Sequence, residues 1–262
     1  MKFFLGKTTG FLKYAVGLCL FLCSSGFSDE TPFQVGERLT YHFYWGPFMV
    51  GRGTFEVEST DREGVYRFVI DGRSNDFISK LYPVEAHLES DFDWTKQCSI
   101  RTLQNRSERA KSTWEESWYY PEKSIASTQS YVSGETKWFE IPQTGVLDKF
   151  SMIYFMRGLE WSRRDFASAI LGNDKGNYEV KVKKLKEETV ELPNFAPIPT
   201  FKVEPNTEYL GGFVRKGKMV VWVSDDEHKI PVRVVSQLPV GTVSARLVKV
   251  ENVKDWRYNL PD

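Results

Sequence analysis

Apolar and polar residues alternate along most of this chain, and the alternation predicts strands. Leu39, Tyr41, Phe43 and Trp45 interleave with Thr40, His42 and Tyr44. This period of two places one strand face against a core. Gly46-Pro47 breaks the run, and a second strand is expected over 50–59, with Gly51 and Gly53 inside it. A glycine within a strand marks a bulge, a bend or the close approach of another segment. Asp61-Arg62-Glu63-Gly64 reads as a hairpin turn into a strand over 65–72, where Tyr66, Phe68 and Ile70 share a face. Further strands are expected over 84–94, 100–109, 113–120, 178–185, 200–204, 218–224, 232–238 and 242–250. Short strands in unbroken succession, separated by turns, predict an antiparallel meander.

One segment departs from the pattern. Asp148 is placed to cap a helix from about Lys149 to Arg157, with Gly158 near its end. Phe150, Ile153, Tyr154 and Arg157 recur at three- and four-residue spacing and give that helix one face. A lone helix in a β-rich chain must bury its apolar face on a sheet, across the mouth or on the concave side of a curved one. The proline-rich stretch 192–199 is expected to be a surface loop. Lys181, Lys183, Lys184 and Lys186, followed by Glu187 and Glu188, are expected to form a solvated strand and turn. The fold class is therefore mostly β: a curved antiparallel sheet or barrel-like structure with one packed α-helix.

The first residues follow a different plan. Lys2, Lys7 and Lys13 give a basic start, residues 14–22 are apolar, and Ser24-Ser25-Gly26 follow. That order is the design of a cleavable signal peptide, and the apolar run is far shorter than the ~20 residues that cross a bilayer as a helix. A signal peptide over 1–28 and one β-rich domain over 29–262 are expected. The protein is then exported to the periplasm or envelope of a Gram-negative-type bacterium. Cys23 leaves lipidation open as an alternative to simple cleavage, although Leu22 replaces the small residue that usually precedes a lipidated cysteine. Without the leader Cys98 is the only cysteine, so no internal disulfide is expected and stability must come from the core.

Charge and composition exclude more than they assign. Lys and Arg number 35, matched by 35 Asp and Glu, and loss of the leader lysines leaves a slightly acidic chain. Such a chain has no electrostatic footprint for nucleic acid. His42, His87 and His228 lie in separate segments without metal-ligand spacing, and no phosphate loop, dinucleotide fingerprint or nucleophile elbow is present. No cofactor, metal or catalytic residue is assigned. Cys98 has no neighbour in sequence that would lower its pKa. Asp91 with Asp93, and Asp225 with Asp226, are the carboxylate pairs an acid–base enzyme would need. The preferred reading is a solvated face for Asp91 and Asp93 and turn chemistry for Asp225 and Asp226, with calcium binding or catalysis as the alternative for the second pair.

Several segments in order resemble the bacterial DUF3108 family. Gly36-Glu37-Arg38-Leu39-Thr40-Tyr41 comes first, then Trp45 and Gly51, then Asp148, Ser151 and Arg157 around the helix. Val221-Trp222-Val223-Ser224-Asp225-Asp226, Pro231-Val232-Arg233 and Pro239-Val240-Gly241 complete the series. The resemblance runs from about Phe33 to Val250. It implies an exported protein of curved, mostly antiparallel β structure, in a family with no established activity.

Candidate ligand-binding residues follow from chemistry. Tyr41, Phe43 and Trp45 on one strand face are either plain core or the lining of an apolar cavity, to which Trp114, Trp118 and Trp138 would add. Asp148, Ser151 and Arg157 either fix the helix or line a pocket mouth, with Arg157 available to an anionic headgroup. The expectation is a non-catalytic envelope protein that binds a hydrophobic or amphipathic ligand, such as a lipid or a lipoprotein segment. The alternatives are a module that docks an envelope protein partner and, third, a hydrolase built on acidic residues.

Overall fold

The computed structural model describes residues 30–209, 218–238 and 241–259. The expected leader, Cys19, Cys23 and the Pro239-Val240 pair lie outside them. Fifteen strands among the described residues form one sheet. The first eight follow in chain order: β1 (Arg38–Trp45), β2 (Phe48–Ser59), β3 (Val65–Ser74), β4 (Val84–Asp93), β5 (Cys98–Glu108), β6 (Lys111–Tyr120), β7 (Ile125–Ser130) and β8 (Thr136–Glu140). After the short β9 (Val146–Leu147) comes the helix α2 (Ser151–Arg157), a smaller helix α1 (Asp76–Ser79) having joined β3 to β4. The chain then runs through β10 (Phe166–Asn173), β11 (Gly176–Val190), β12 (Ile198–Tyr209), β13 (Met219–Ser224), β14 (Pro231–Leu238) and β15 (Gly241–Glu251).

Strands adjacent in sequence hydrogen-bond each other except β8 and β9, antiparallel everywhere but in the short β9–β10 pair, and one long-range pairing makes the fold. β1 pairs antiparallel with β15, setting Tyr41 opposite Leu247 and Phe43 opposite Ala245. The strands before and after α2 are thereby joined into a single curled sheet whose two edges are β8 and β9. No ladder links those edges, so the barrel is left unclosed. Side chains cross the seam instead. The Tyr119 hydroxyl donates to Gly172 O (3.3 Å), Asn177 Nδ2 donates to Glu140 O (3.0 Å), and Tyr119, Ala126, Ile141 and Val146 pack together there.

The expected meander and its single packed helix are both present. The helix begins two residues later than its cap predicts. Asp148 Oδ1 accepts the backbone N–H groups of Phe150 (2.7 Å) and Ser151 (3.1 Å), so the carboxylate ties up a turn before the first helical residue. β11 continues through Lys186, Glu187 and Glu188, where a turn was expected, because β12 pairs with it along its length after a bulge at Lys184/Lys186. The proline-rich stretch is a surface connection at Pro193, Asn194 and Pro197, but its apolar Leu192, Phe195 and Ile198 turn inward and are buried. Its prolines break the strand, while its apolar residues join a core cluster with Leu39, Tyr41, Ile230 and Leu247.

A second cluster fills the space between α2 and the concave sheet. Tyr154 of α2 stacks on Phe68 with ring centroids 3.6 Å apart, and Phe33 meets Tyr66, Phe68, Trp94 and Tyr154 edge-on at 5.0–5.6 Å. Edge-to-face and stacked pairs add to the gain from burial alone. Gly53 is required by the large ring opposite: a Cβ there would lie 2.9 Å from Phe43 Cε2 and 2.7 Å from Asp71 O. Gly53→Val is expected to lower stability by about 1–3 kcal/mol through overpacking, read as a reduced urea midpoint.

Candidate functional site

Beneath α2 the curled sheet encloses a cavity of about 550 Å³. Its wall is built from alternate residues of several strands and one side of the helix, including Tyr41, Phe55, Met152, Met156, Val221 and Ala245. Four residues bring polar side-chain groups to this wall: Tyr41, Lys149, Arg157 and Asn206. Two of these are already committed. The Tyr41 hydroxyl donates to Pro231 O at 2.9 Å, and Arg157 is held as described below. Lys149, Asn206 and Met219 are exposed as well as lining, so the cavity meets solvent beside them.

The helix roofing this cavity is anchored by polar groups at both ends. At its start, Asp148 Oδ2 accepts the hydroxyls of Ser90 and Ser99, each at 2.7 Å, and the Ser151 hydroxyl lies 2.7 Å from that of Ser99. At its end, Arg157 is 1% exposed and Glu37 0% exposed. Arg157 Nη2 donates to Glu37 Oε2 (2.8 Å) and Pro32 O (2.8 Å), Nη1 to Glu37 Oε1 (2.5 Å), and Nε to His228 O (2.9 Å). Burial works against the guanidinium charge, but Glu37 outweighs it and raises the Arg157 pKa.

The candidate residues thus part company. Tyr41 and Arg157 reach the cavity wall. Phe43 is half-buried in the neighbouring core, and Trp45 is exposed at the sheet's rim. Asp148 and Ser151 lie buried in the hydroxyl cluster, from which Asp148 also borders a second chamber of about 450 Å³. Every nitrogen of the Arg157 guanidinium donates a hydrogen bond, and in this arrangement its cation is spent on Glu37 rather than offered to an anion. Trp114, Trp118 and Trp138 do not add to the cavity. They are exposed on the opposite sheet face, where Trp114 meets Tyr131 and Trp138 stacks over Tyr120.

Three of the four paired carboxylates, Asp91, Asp93 and Asp226, are engaged by neighbouring groups. Asp91 takes a bidentate contact from Arg67 (2.7 and 3.0 Å), and Asp93 Oδ1 accepts Lys96 N at 2.9 Å. Both are buried, where a solvated face was expected, because Arg67 and the turn at Lys96 cover them. Asp226 Oδ1 accepts Ser224 Oγ (2.8 Å) and the N–H groups of His228 and Lys229 (3.0 Å each), which is turn chemistry. Among the described residues no group of three or more His, Cys, Asp or Glu is placed to hold a metal. A wider depression of about 630 Å³ on the opposite face is lined by Arg38, Asp71, His87 and other charged side chains. Several of those charges pair with each other, as in His87–Asp71 (2.8 Å) and Lys249–Glu251 (2.7 Å).

Sequence reasoning missed Phe33, Glu37 as the partner of Arg157, and Lys149 as a wall residue. Glu37 carried one readable signal, a carboxylate within a glycine-led strand start. Its partner lies 120 residues away, and no local pattern specifies such a pair. The rim also carries apolar residues that periodicity did not flag. Phe48 and Phe77 are each 72% exposed and Leu81 69%. Their loops are joined where Asn75 Nδ2 donates to Met49 O at 2.6 Å and Asn75 Oδ1 accepts Ile78 N at 2.8 Å.

The architecture defines a class: an unclosed, barrel-like antiparallel sheet wrapped around one helix. Residues 40–248 match the family described as "Protein of unknown function (DUF3108)". The chain belongs to that family, as its opening, middle and closing segments suggested. No curated protein matches it. Among solved structures it is similar to the beta-barrel-like protein of domain of unknown function DUF1849 from Brucella abortus. That likeness has a TM-score of 0.58 at 12% identity and covers 82% of this chain and 97% of the other. At that identity it is a likeness of fold alone.

Two outcomes are expected from this geometry. Arg157→Met leaves Glu37 buried and unpaired and should cost about 3–5 kcal/mol, while the double variant Arg157→Met/Glu37→Leu should recover much of it in urea unfolding. Cys98 is buried, and burial raises its thiol pKa to about 11. At pH 8 the folded protein should therefore resist iodoacetamide and react fully once unfolded in urea, as followed by mass spectrometry.

Proposed function

We propose that this is a ligand-binding protein of the cell envelope that holds the apolar chain of a lipid or lipoprotein segment beneath α2. The observation carrying this reading is the cavity itself. Its size lies within the roughly 300–1,000 Å³ of small-molecule sites, and its wall is apolar apart from four polar groups, two of them already satisfied. Each methylene moved from water into such a wall gains about 0.8 kcal/mol. A dozen would supply roughly 10 kcal/mol before the entropy lost on binding is subtracted. Export rests on the basic, apolar and small-residue order of the first 28 residues. A non-catalytic role accords with Asp91, Asp93 and Asp226 being engaged in an ion pair and in turns.

A second reading, a docking module for an envelope partner, is favoured by the exposed Phe48, Phe77 and Leu81 at the rim. Native mass spectrometry of protein purified from its own envelope, with lipid analysis of an organic extract, tests both. A stoichiometric lipid adduct is expected, and Ala245→Phe, which fills the cavity, should abolish it while leaving the fold intact by circular dichroism. A lipid-free protein that also fails to bind a fluorescent fatty acid would sink the carrier reading. A protein crosslinked in cells through the Phe48 rim would then carry the second one.

A further inference from the structure

Lys149 has a position that the other lysines of the described residues do not share. It lines the apolar cavity and also the second, more polar chamber of about 450 Å³, whose wall carries Gln104, Asn173 and Tyr178, the carboxylates of Glu115, Asp148 and Asp174, and one further cation, Lys175. It therefore stands on the boundary between an apolar compartment and a polar one. Its Nζ donates to the neutral Gln104 Oε1 and lies 4.7 Å from the centroid of the Phe150 ring.

Among the described residues no carboxylate forms an ion pair with it. Asp148 is adjacent in sequence, but each of its oxygens already accepts two hydrogen bonds, from Ser90 and Ser99 and from the N–H groups of Phe150 and Ser151. Glu115 and Asp148 favour its charge at longer range, Arg106 and Lys175 oppose it, and the desolvation imposed by its surroundings prevails and lowers its pKa below the ordinary lysine value. The residue nonetheless reaches solvent, so its ammonium, held only by an amide oxygen and a ring face, is open to an incoming anion.

We propose that the ligand is an anionic amphiphile whose acyl chain fills the apolar cavity and whose carboxylate or phosphate pairs with Lys149 Nζ from the polar chamber. This rests on the cavity being a lipid site, and it adds the headgroup class. A fatty acid anion and a lysophospholipid phosphate present the same chemistry to the lysine: a compact negative oxygen group at one end of a single chain. The polar chamber gives that group hydrogen-bonding neighbours that the cavity lacks.

The test is calorimetric titration of delipidated protein with three probes sharing one oleoyl chain: oleate, lysophosphatidate and neutral monoolein. Wild type should bind at least one anionic probe about ten- to a hundredfold more tightly than monoolein, the worth of one charge-assisted hydrogen bond. Whichever anionic probe is preferred identifies carboxylate or phosphate. Lys149→Met should bring anionic binding down to the monoolein level with monoolein unchanged, and Lys149→Arg should retain the preference. If all three probes bind equally, or if Lys149→Met weakens them in equal measure, the headgroup assignment is overturned and the cavity reading stands. If no probe binds wild type, the cavity reading falls and takes this one with it.

Discussion

The buried pairing of Arg157 with Glu37 is the constraint on which the interior is arranged. Taking two charges out of water costs several kcal/mol each, and the cost is offset only when geometry and remaining hydrogen bonds are complete. Here they are: both carboxylate oxygens face the guanidinium, and the carbonyls of Pro32 and His228 take its other donations. One side chain thereby joins the segment before β1, the end of α2 and the turn between β13 and β14. The Asp148–Ser90–Ser99–Ser151 cluster does the same at the other end of the helix.

Anchoring at both ends relieves the middle of the helix of a duty. A helix held only by apolar packing must press its whole face onto the sheet, because unfilled space forfeits dispersion contacts. With polar fixation at each terminus, Tyr154 can stack tightly on Phe68 while Met152 and Met156 on another side stand over a hollow. Core and cavity coexist under one short helix because different forces secure its different sides. Methionines suit the hollow side, being flexible and polarisable enough to close on contents of differing shape.

The sheet was legible in the sequence because strand alternation is a local signal. Leu39 to Trp45 and Tyr66 to Ile70 display it plainly, and so the meander followed. Weakly patterned strands were not legible. β7 reads Ile-Ala-Ser-Thr-Gln-Ser and β9 has two residues, so neither offers an alternating apolar face. The long-range pair β1–β15 links residues some two hundred positions apart, and no local pattern specifies it. The aromatic face of β1 was correctly singled out, yet its members diverge, because a strand running from core to rim gives each residue a different depth. Arg157 was identified as the notable cation of the helix region, but it is paired with Glu37, and Lys149 just before the helix donates to the amide of Gln104. Burial and pairing are tertiary facts that residue type does not encode.

The missing ladder between β8 and β9 also has a mechanical meaning. In a closed barrel the strand number and stagger fix the radius, so the interior has one size. A curled sheet with a seam obeys no such closure condition. Its curvature can relax or tighten at the cost of a few side-chain contacts, those of Tyr119 and Asn177 among them, while every backbone ladder stays whole. The girth of this protein is thus an adjustable quantity, set by a soft clasp and not by the count of its strands.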